Sequence, residues 1–105
     1  MKKPYRKRYI LFEIISDSKI KEELIEIAIK KAIKELFGEF GLSEANPKLL
    51  KEFSKGKKHV LCVDHRYVQK TKLAMAYVKE INKKKLIIKT IKVYGTLKKI
   101  KGVIK

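Results

Sequence analysis

The sequence predicts an α+β fold: an antiparallel four-stranded sheet with two main helices on one face, in the order strand, helix, strand, strand, helix, strand. Three observations carry this. Apolar residues alternate near the start, recur at helical spacing in two later stretches, and fill short β-rich runs between and after them. Turn chemistry separates the stretches around residues 16–18, 41–47, 55–58 and 82–85. The length, 105 residues, suits one such domain and leaves no room for a second.

Residues 1–8, MKKPYRKR, read as a basic arm with Pro4 inside it. From Tyr9 to Ile15 the run YILFEII predicts a central strand with Ile10, Phe12 and Ile14 on one face. Tyr9, Leu11 and Ile15 point the other way, as a protein-contact surface. Ser16, Asp17 and Ser18 supply N-cap chemistry for a helix whose inward stripe is Ile25, Ala28, Ile29, Ala32, Ile33, Leu36 and Phe40, ending near Gly38 or Gly41. Ile20, Leu24 and Ile27 fall outside that stripe, so either a loop or a partner covers them.

Pro47 stops any helix, and residues 48–54 read as a strand with Leu49 and Phe53 on one side. Lys55 to Lys58, with Gly56, makes a hairpin turn into a nearly all-apolar strand, His59 to Asp64. Asp64 caps a second helix that is expected to run to about Asn82, its inward face being Tyr67, Thr71, Ala74, Val78 and Ile81. After a turn at Asn82 to Lys85 comes a last strand, Leu86 to Tyr94. Gly95 ends it with a positive-φ turn, and residues 96–105 form a basic tail with room for a helical turn. The domain proper is residues 9–95. This order is the split βαβ pattern of ferredoxin-like and RNA-recognition-motif-like sandwiches. Its first and third strands are central and here are the most apolar, while the outer strands carry Lys51, Lys89 and Lys92.

The net charge of +17 makes a polyanion the expected partner, since each Lys or Arg near a phosphate releases a condensed counterion. Residues 1–52 hold 12 basic and 9 acidic groups, and residues 53–105 hold 16 and 2. The second half therefore carries +14 of the excess. A lysine-rich surface from a hot-living source normally enriches Glu as well, and here residues 53–105 hold a single Glu, Glu80. The longest apolar run, Leu73 to Val78, is far too short for a membrane span, and no secretory leader is read near the start, so the cytoplasm is the expected setting. Cys62 stands alone and allows no intrachain disulfide.

Chemistry-bearing side chains gather only at His59, Cys62, Asp64 and His65. Strand alternation puts His59 and Cys62 on opposite faces, which argues against a shared metal and for one core Cys, one helix cap and two surface His. The glycines are scattered, so no phosphate loop is formed, and the basic half holds no pair of carboxylates for acid–base work. No catalytic residue and no metal ligand is expected. The third strand, KKHVLCVD, lacks the aromatics on which an RNA-recognition motif stacks bases. What remains is backbone recognition of structured RNA by clustered cations: Lys55, Lys57 and Lys58 on the hairpin, Arg66, Lys70 and Lys72 on the second helix, and Lys98, Lys99 and Lys101 in the tail.

Four stretches, RYILFEII, ELFGEFG, HRYV and VYGT, in this order across residues 8–96, resemble the archaeal ribonuclease P protein component 2 family. The resemblance implies a protein subunit of the ribonucleoprotein that removes the 5′ leader from precursor tRNA. There the RNA, with magnesium ions, is the catalyst, and the protein binds no cofactor of its own. It implies an RNA-recognition-motif-like fold without the aromatic platform. It also implies ribonuclease P RNA, protein component 3 and other protein subunits as partners, precursor tRNA indirectly, and a homodimer within a heterotetramer as one possible assembly. Arg8, Gly38, Gly41, Arg66, Gly95 and Thr96 lie in the matched stretches. Arg8, Arg66 and Thr96 are the expected RNA contacts among them, while Tyr9, Leu11, Ile15, Ile20, Leu24 and Ile27 are expected at the protein partner. Two other readings stand beside this one: a ribosomal or other structured-RNA-binding protein of the same topology, and a small metal-binding or hydrolytic domain.

Overall fold

The computed structural model describes residues 6–104. The order is β1 (Lys7–Ser16), α1 (Glu22–Ala45), β2 (Lys48–Leu49), β3 (Lys58–Asp64), α2 (Val68–Tyr77), β4 (Glu80–Ile81), β5 (Lys84–Tyr94) and α3 (Leu97–Ile104). The sheet is antiparallel with five strands, not the expected four, in the order β2-β3-β1-β5-β4. β1 is its middle strand because it is apolar on both faces. Ile10, Phe12 and Ile14 enter the main core under α1 and α2, while Leu11 enters a second, smaller core on the other face. Ile91 has no partner between the pairs Leu11–Lys92 and Phe12–Thr90, which makes a bulge in β5.

α1 starts later than the serines suggest. Ser16 still belongs to β1, and its hydroxyl donates to the Lys85 carbonyl and accepts from the Ser18 N–H, so it is unavailable as a cap. Lys21 stands at the N-cap with no side-chain bond, and Glu22 and Glu23 in the first turn complement the helix dipole. Ile25, Ile29 and Ile33 are almost fully buried, each such side chain contributing about 1.5–3 kcal/mol of transfer free energy. Gly38 does break the helix, with φ 75° and ψ 177°, but the helix resumes and runs to Ala45. Asn46 then takes the left-handed conformation and donates its N–H to the Leu42 carbonyl. The break leaves the end of the predicted stripe uncovered: Leu36 is 36% and Phe40 75% exposed. Gly41 is no terminator. It lies within the helix, buried, where a Cβ would stand 2.6 Å from the Phe37 Cβ.

Other predicted elements are shorter. The strand expected over residues 48–54 is only Lys48–Leu49, because a 3-10 turn at Lys51–Phe53 breaks the alternation. Leu49 therefore enters the main core and Phe53 the opposite, smaller one. α2 ends at Tyr77 and not near Asn82. Val78 is already extended, and Asn82 and Lys83, both at positive φ, turn the chain so that Ile81 pairs with Lys84. The basic tail is a helix, α3, whose Ile100 is fully buried with Leu11, Val60 and Tyr94. Gly95 does not have a positive φ.

Candidate nucleic-acid interface

The structure separates the predicted RNA contacts into three places. Lys55, Lys57 and Lys58 stand exposed on the hairpin before β3, where Gly56 takes φ 59° and Lys55 and Lys58 exchange backbone hydrogen bonds. The Ile14 N–H donates to the Lys57 carbonyl, so the hairpin lies at the Ser16 end of the sheet. Lys83, Lys84 and Lys85, exposed at the β4–β5 turn, belong to this end as well, since the Lys85 carbonyl accepts from Ser16. The sequence offered that signal as a run of three lysines in a turn, and the prediction missed it.

The second place is the other end. Arg8 pairs in register with Val63, and Tyr9 with Tyr94, two residues before Thr96. Arg66 follows β3 there, and Lys98 and Lys99 stand exposed on α3, with Lys101 one turn further along. The two ends of β3, Lys58 and Asp64, are about 20 Å apart at the rise of an extended chain. The third place is the helix layer. Lys70 lies 5.0 Å over the Tyr67 ring and 5.6 Å over that of Phe37, and Lys72 is half-buried.

Arg66 and Thr96 hold structural partners too. Asp64, nearly buried, accepts from the Arg66 backbone N–H at 2.8 Å, from Nε at 2.9 Å and from Nη2 at 3.2 Å. Arg66 also reaches Glu44 of α1 at 3.4 Å. The Arg66 hydrogen bonds, outweighing burial, hold the Asp64 carboxyl below its ordinary range and raise the Arg66 guanidinium. Thr96 Oγ1 accepts from the Lys99 N–H at 3.5 Å, at the start of α3.

The acidic groups collect elsewhere. α1 holds six of the eleven, against three lysines. Several hold the fold: Glu26 accepts the Leu49 N–H at 2.9 Å, Glu23 pairs with Lys51 and Glu39 with Lys34. Among the described residues α1 is thus a helix of net negative charge, which disfavours phosphate along it.

Of the side chains of the metal reading only Asp64 and His65 come together, with His65 Nδ1 3.6 Å from Asp64 Oδ1. His59 is buried and not a surface residue, because it joins the helix side of the sheet, 5.6 Å from the Phe12 ring, and shares a 2.9 Å hydrogen bond with Ser54 Oγ. Burial pushes its pKa down, opposed by Glu22. Cys62 lies in the opposite face, where burial raises its thiol pKa against the pull of Lys7 and Lys48. Asp64 is engaged by Arg66, and His65 Nδ1 donates to the Arg6 carbonyl. Among the described residues no three His, Cys, Asp or Glu side chains are grouped as metal ligands.

The expected partner surface also shrinks. Leu11 and Ile20 are buried within the chain, and Leu24 packs half-buried on the main core, because the late start of α1 and the seating of α3 cover them. Tyr9 is half-buried. Ile15 and Ile27 remain open, at 46% and 60%. Among the described residues no helix is long and apolar enough to cross a membrane.

A family model described as Rpp14/Pop5 matches residues 8–105. The chain belongs to the Rpp14/Pop5 family. Curated relatives named ribonuclease P protein component 2 come from archaea. That of Pyrococcus horikoshii is 38% identical over 91% of this chain and 80% of its own length. The one from Pyrococcus abyssi is 35% identical over 91% and 81%, and that of Saccharolobus islandicus 31% over 93% and 68%. A chain in a cryo-EM structure of yeast ribonuclease MRP superposes with a TM-score of 0.60 at 13% identity, over 92% of this chain and 79% of that one. That likeness bears on the fold: an antiparallel sheet with helices, shared by the Rpp14/Pop5 chain and a component of that assembly. The matched residues 8–105 include all four stretches singled out in the sequence.

Proposed function

We propose that this chain is a non-catalytic protein subunit of ribonuclease P. It binds the catalytic RNA through phosphates and a second protein subunit, of the component 3 kind, through apolar surface, and so supports removal of the 5′ leader from precursor tRNA in the cytoplasm. The observation that carries the reading is the 38% identity, over 91% of the chain, to a relative named ribonuclease P protein component 2. The charge supports it, because residues 53–105 carry +14 and expose lysines at both ends of the sheet. The chemistry is assigned to the RNA and its magnesium ions. The four-stranded RNA-recognition-motif-like plan belongs to the same proposal, with β4 and α3 as additions to it.

Reconstitution tests this directly. Ribonuclease P RNA and the other protein subunits are assayed for precursor-tRNA cleavage with and without this chain. Stimulation at limiting magnesium is expected, and equal rates would overturn the assignment. Charge reversal of Lys57 and Lys58, or of Lys98 and Lys99, should lower the slope of log affinity against log salt by about 0.7–0.9 per lost phosphate contact.

A further inference from the structure

The β1–α1 connection, the start of α1 and the hairpin before β3 enclose an open-sided cleft of about 710 Å³. That size falls within the range of small-ligand sites, roughly 300–1,000 Å³. The floor is apolar, made by Ile14, Ile20 and Ile25 of the main core. Ser54 and His59, joined through Nδ1 at 2.9 Å, form part of the wall. His59 is only 5% exposed, and its second ring nitrogen, Nε2, has no hydrogen-bond partner among the described residues. Thr71 Oγ1 is the one fully enclosed side-chain polar atom among them without a partner, so Nε2 keeps access to open space, which the cleft supplies. At the start of α1, the N–H groups of Glu22 and Glu23 are uncapped, since Lys21 offers no side-chain bond.

We infer that this cleft receives an unpaired base of the RNA whose phosphates the hairpin lysines hold. The inference rests on the RNA-binding reading above and adds a contact with a base to it. Three observations select this occupant. Charge within the cleft cancels, because Lys19, Lys21 and Lys57 line it together with Asp17, Glu22 and Glu23, so a bare phosphate or carboxylate gains little there. The guest is therefore a neutral group. Burial lowers the His59 pKa, with Glu22 opposing, and the neutral ring presents at Nε2 a donor or an acceptor according to its tautomer. A nucleobase carries donors and acceptors side by side on its edge, has a carbonyl oxygen or ring nitrogen for the uncapped N–H groups, and has flat faces for the isoleucines. An aliphatic or phenyl side chain of a protein would leave those polar groups unanswered. Finally, Lys57 lines the cleft while its carbonyl accepts the Ile14 N–H, so the exposed Lys55, Lys57 and Lys58 stand at its mouth. A neutral heterocycle arriving beside a row of cations is what a nucleotide within a polyanion provides. The base lies on the helix side of the sheet and needs no aromatic platform on the other face.

The test uses the full chain and a hairpin RNA with one bulged nucleotide, made with each of the four bases and with an abasic ribose in its place. At least one base is expected to bind tenfold or more tightly than the abasic RNA, which keeps every phosphate. His59→Phe, which removes the polar edge of the ring, and Ser18→Leu, an exposed change on the rim, should bring that ratio close to one. Lys55→Glu with Lys58→Glu, outside the cleft, should weaken all the RNAs and leave the ratio intact. In parallel, the ring signals of His59 and His65 are followed by NMR while each nucleoside, ribose 5-phosphate or indole is added. A nucleoside is expected to shift His59 saturably and not His65, and ribose 5-phosphate to shift neither. Equal affinity for base and abasic RNAs overturns the inference and leaves phosphate binding standing, whatever the free nucleosides do. A stronger response to indole than to any nucleoside would assign the cleft to a protein side chain and overturn it too. If none of the RNAs binds, the RNA-binding reading itself fails and this inference falls with it.

Discussion

Arg66 grips Asp64 through two side-chain hydrogen bonds, Nε to Oδ1 at 2.9 Å and Nη2 to Oδ2 at 3.2 Å, while Oδ1 also caps the Arg66 backbone N–H at 2.8 Å. The pair fixes the step from β3 into α2, and through Glu44 it ties that step to the end of α1. An arginine expected at RNA is therefore also a clamp between three elements. Any RNA phosphate that reaches it meets a guanidinium already held in one orientation.

Replacing Asp64 with Ala should cost about 1–2 kcal/mol at neutral pH, the usual worth of a lost cap. The carboxyl lies below its ordinary range in the folded chain. Its contribution is thus complete above the unfolded value of about 3.9 and is lost as pH falls from there through the lower folded value. Urea titrations should show the difference between the parent and Asp64→Ala narrowing below about pH 4. A constant difference down to pH 2 would contradict the hydrogen-bond assignment.

His59 works with the opposite charge type. Burial holds its folded pKa below the ordinary 6.5, so at slightly acidic pH the unfolded chain takes up a proton that the folded chain refuses. Stability is highest above about pH 6.5 and falls as pH drops from there toward the lowered folded value. In His59→Gln this slope between pH 5 and 7 should flatten, as read by chemical denaturation at several pH values. An unchanged slope would place the titration elsewhere.

The two glycines of α1 answer to different constraints. Gly41→Ala puts a Cβ where the Phe37 Cβ already stands, at 2.6 Å, and overpacking of that kind costs about 1–3 kcal/mol. Gly38→Ala meets no neighbour but is strained by φ 75° with ψ 177°, a region essentially confined to glycine, for about 1–3 kcal/mol. Gly95→Ala, with neither constraint, should be close to neutral. Thermal midpoints of the three variants rank these effects, and a neutral Gly41→Ala would mean that α1 shifts freely at its break.

Ile100 is the anchor of α3. Its truncation to Ala should cost about 2–5 kcal/mol if the small core against Leu11, Val60 and Tyr94 cannot collapse around the gap. Ile87→Ala, on an exposed side chain, should change stability by under about 0.5 kcal/mol. Hydrogen exchange in α3 distinguishes local release of the helix from loss of the whole fold.

Much of the fold was legible because strand and helix periods are written plainly in it. Ile10, Phe12 and Ile14 alternate, and Ile25, Ile29 and Ile33 step by a helical turn, so their common core was readable without coordinates. What failed was local competition. Ser16 had two uses, cap or sheet bond, and only the position of Lys85 decides between them. The apolar run through Val78 and Ile81 fits a helix as well as a strand, and the positive-φ pair Asn82 and Lys83 settles it. Ile100 looked like tail because its partners, Leu11 and Tyr94, lie far away in sequence. The site was legible in composition but not in space. Its candidate lysines stand out in the sequence, yet their division between two ends depends on which end of β1 each segment meets.

That division has a consequence for how RNA would be chosen. On the proposed function, two cationic clusters about 20 Å apart on one stiff sheet would act as a fixed-jaw caliper. An RNA whose phosphates span the gap would engage both, and the second grip would then close at high effective concentration; a shorter or limper one would engage a single jaw and dissociate quickly. Selectivity of this kind reads length and rigidity and needs no base contact. A few unremarkable lysines, spaced by a strand, can in this way recognise a shape.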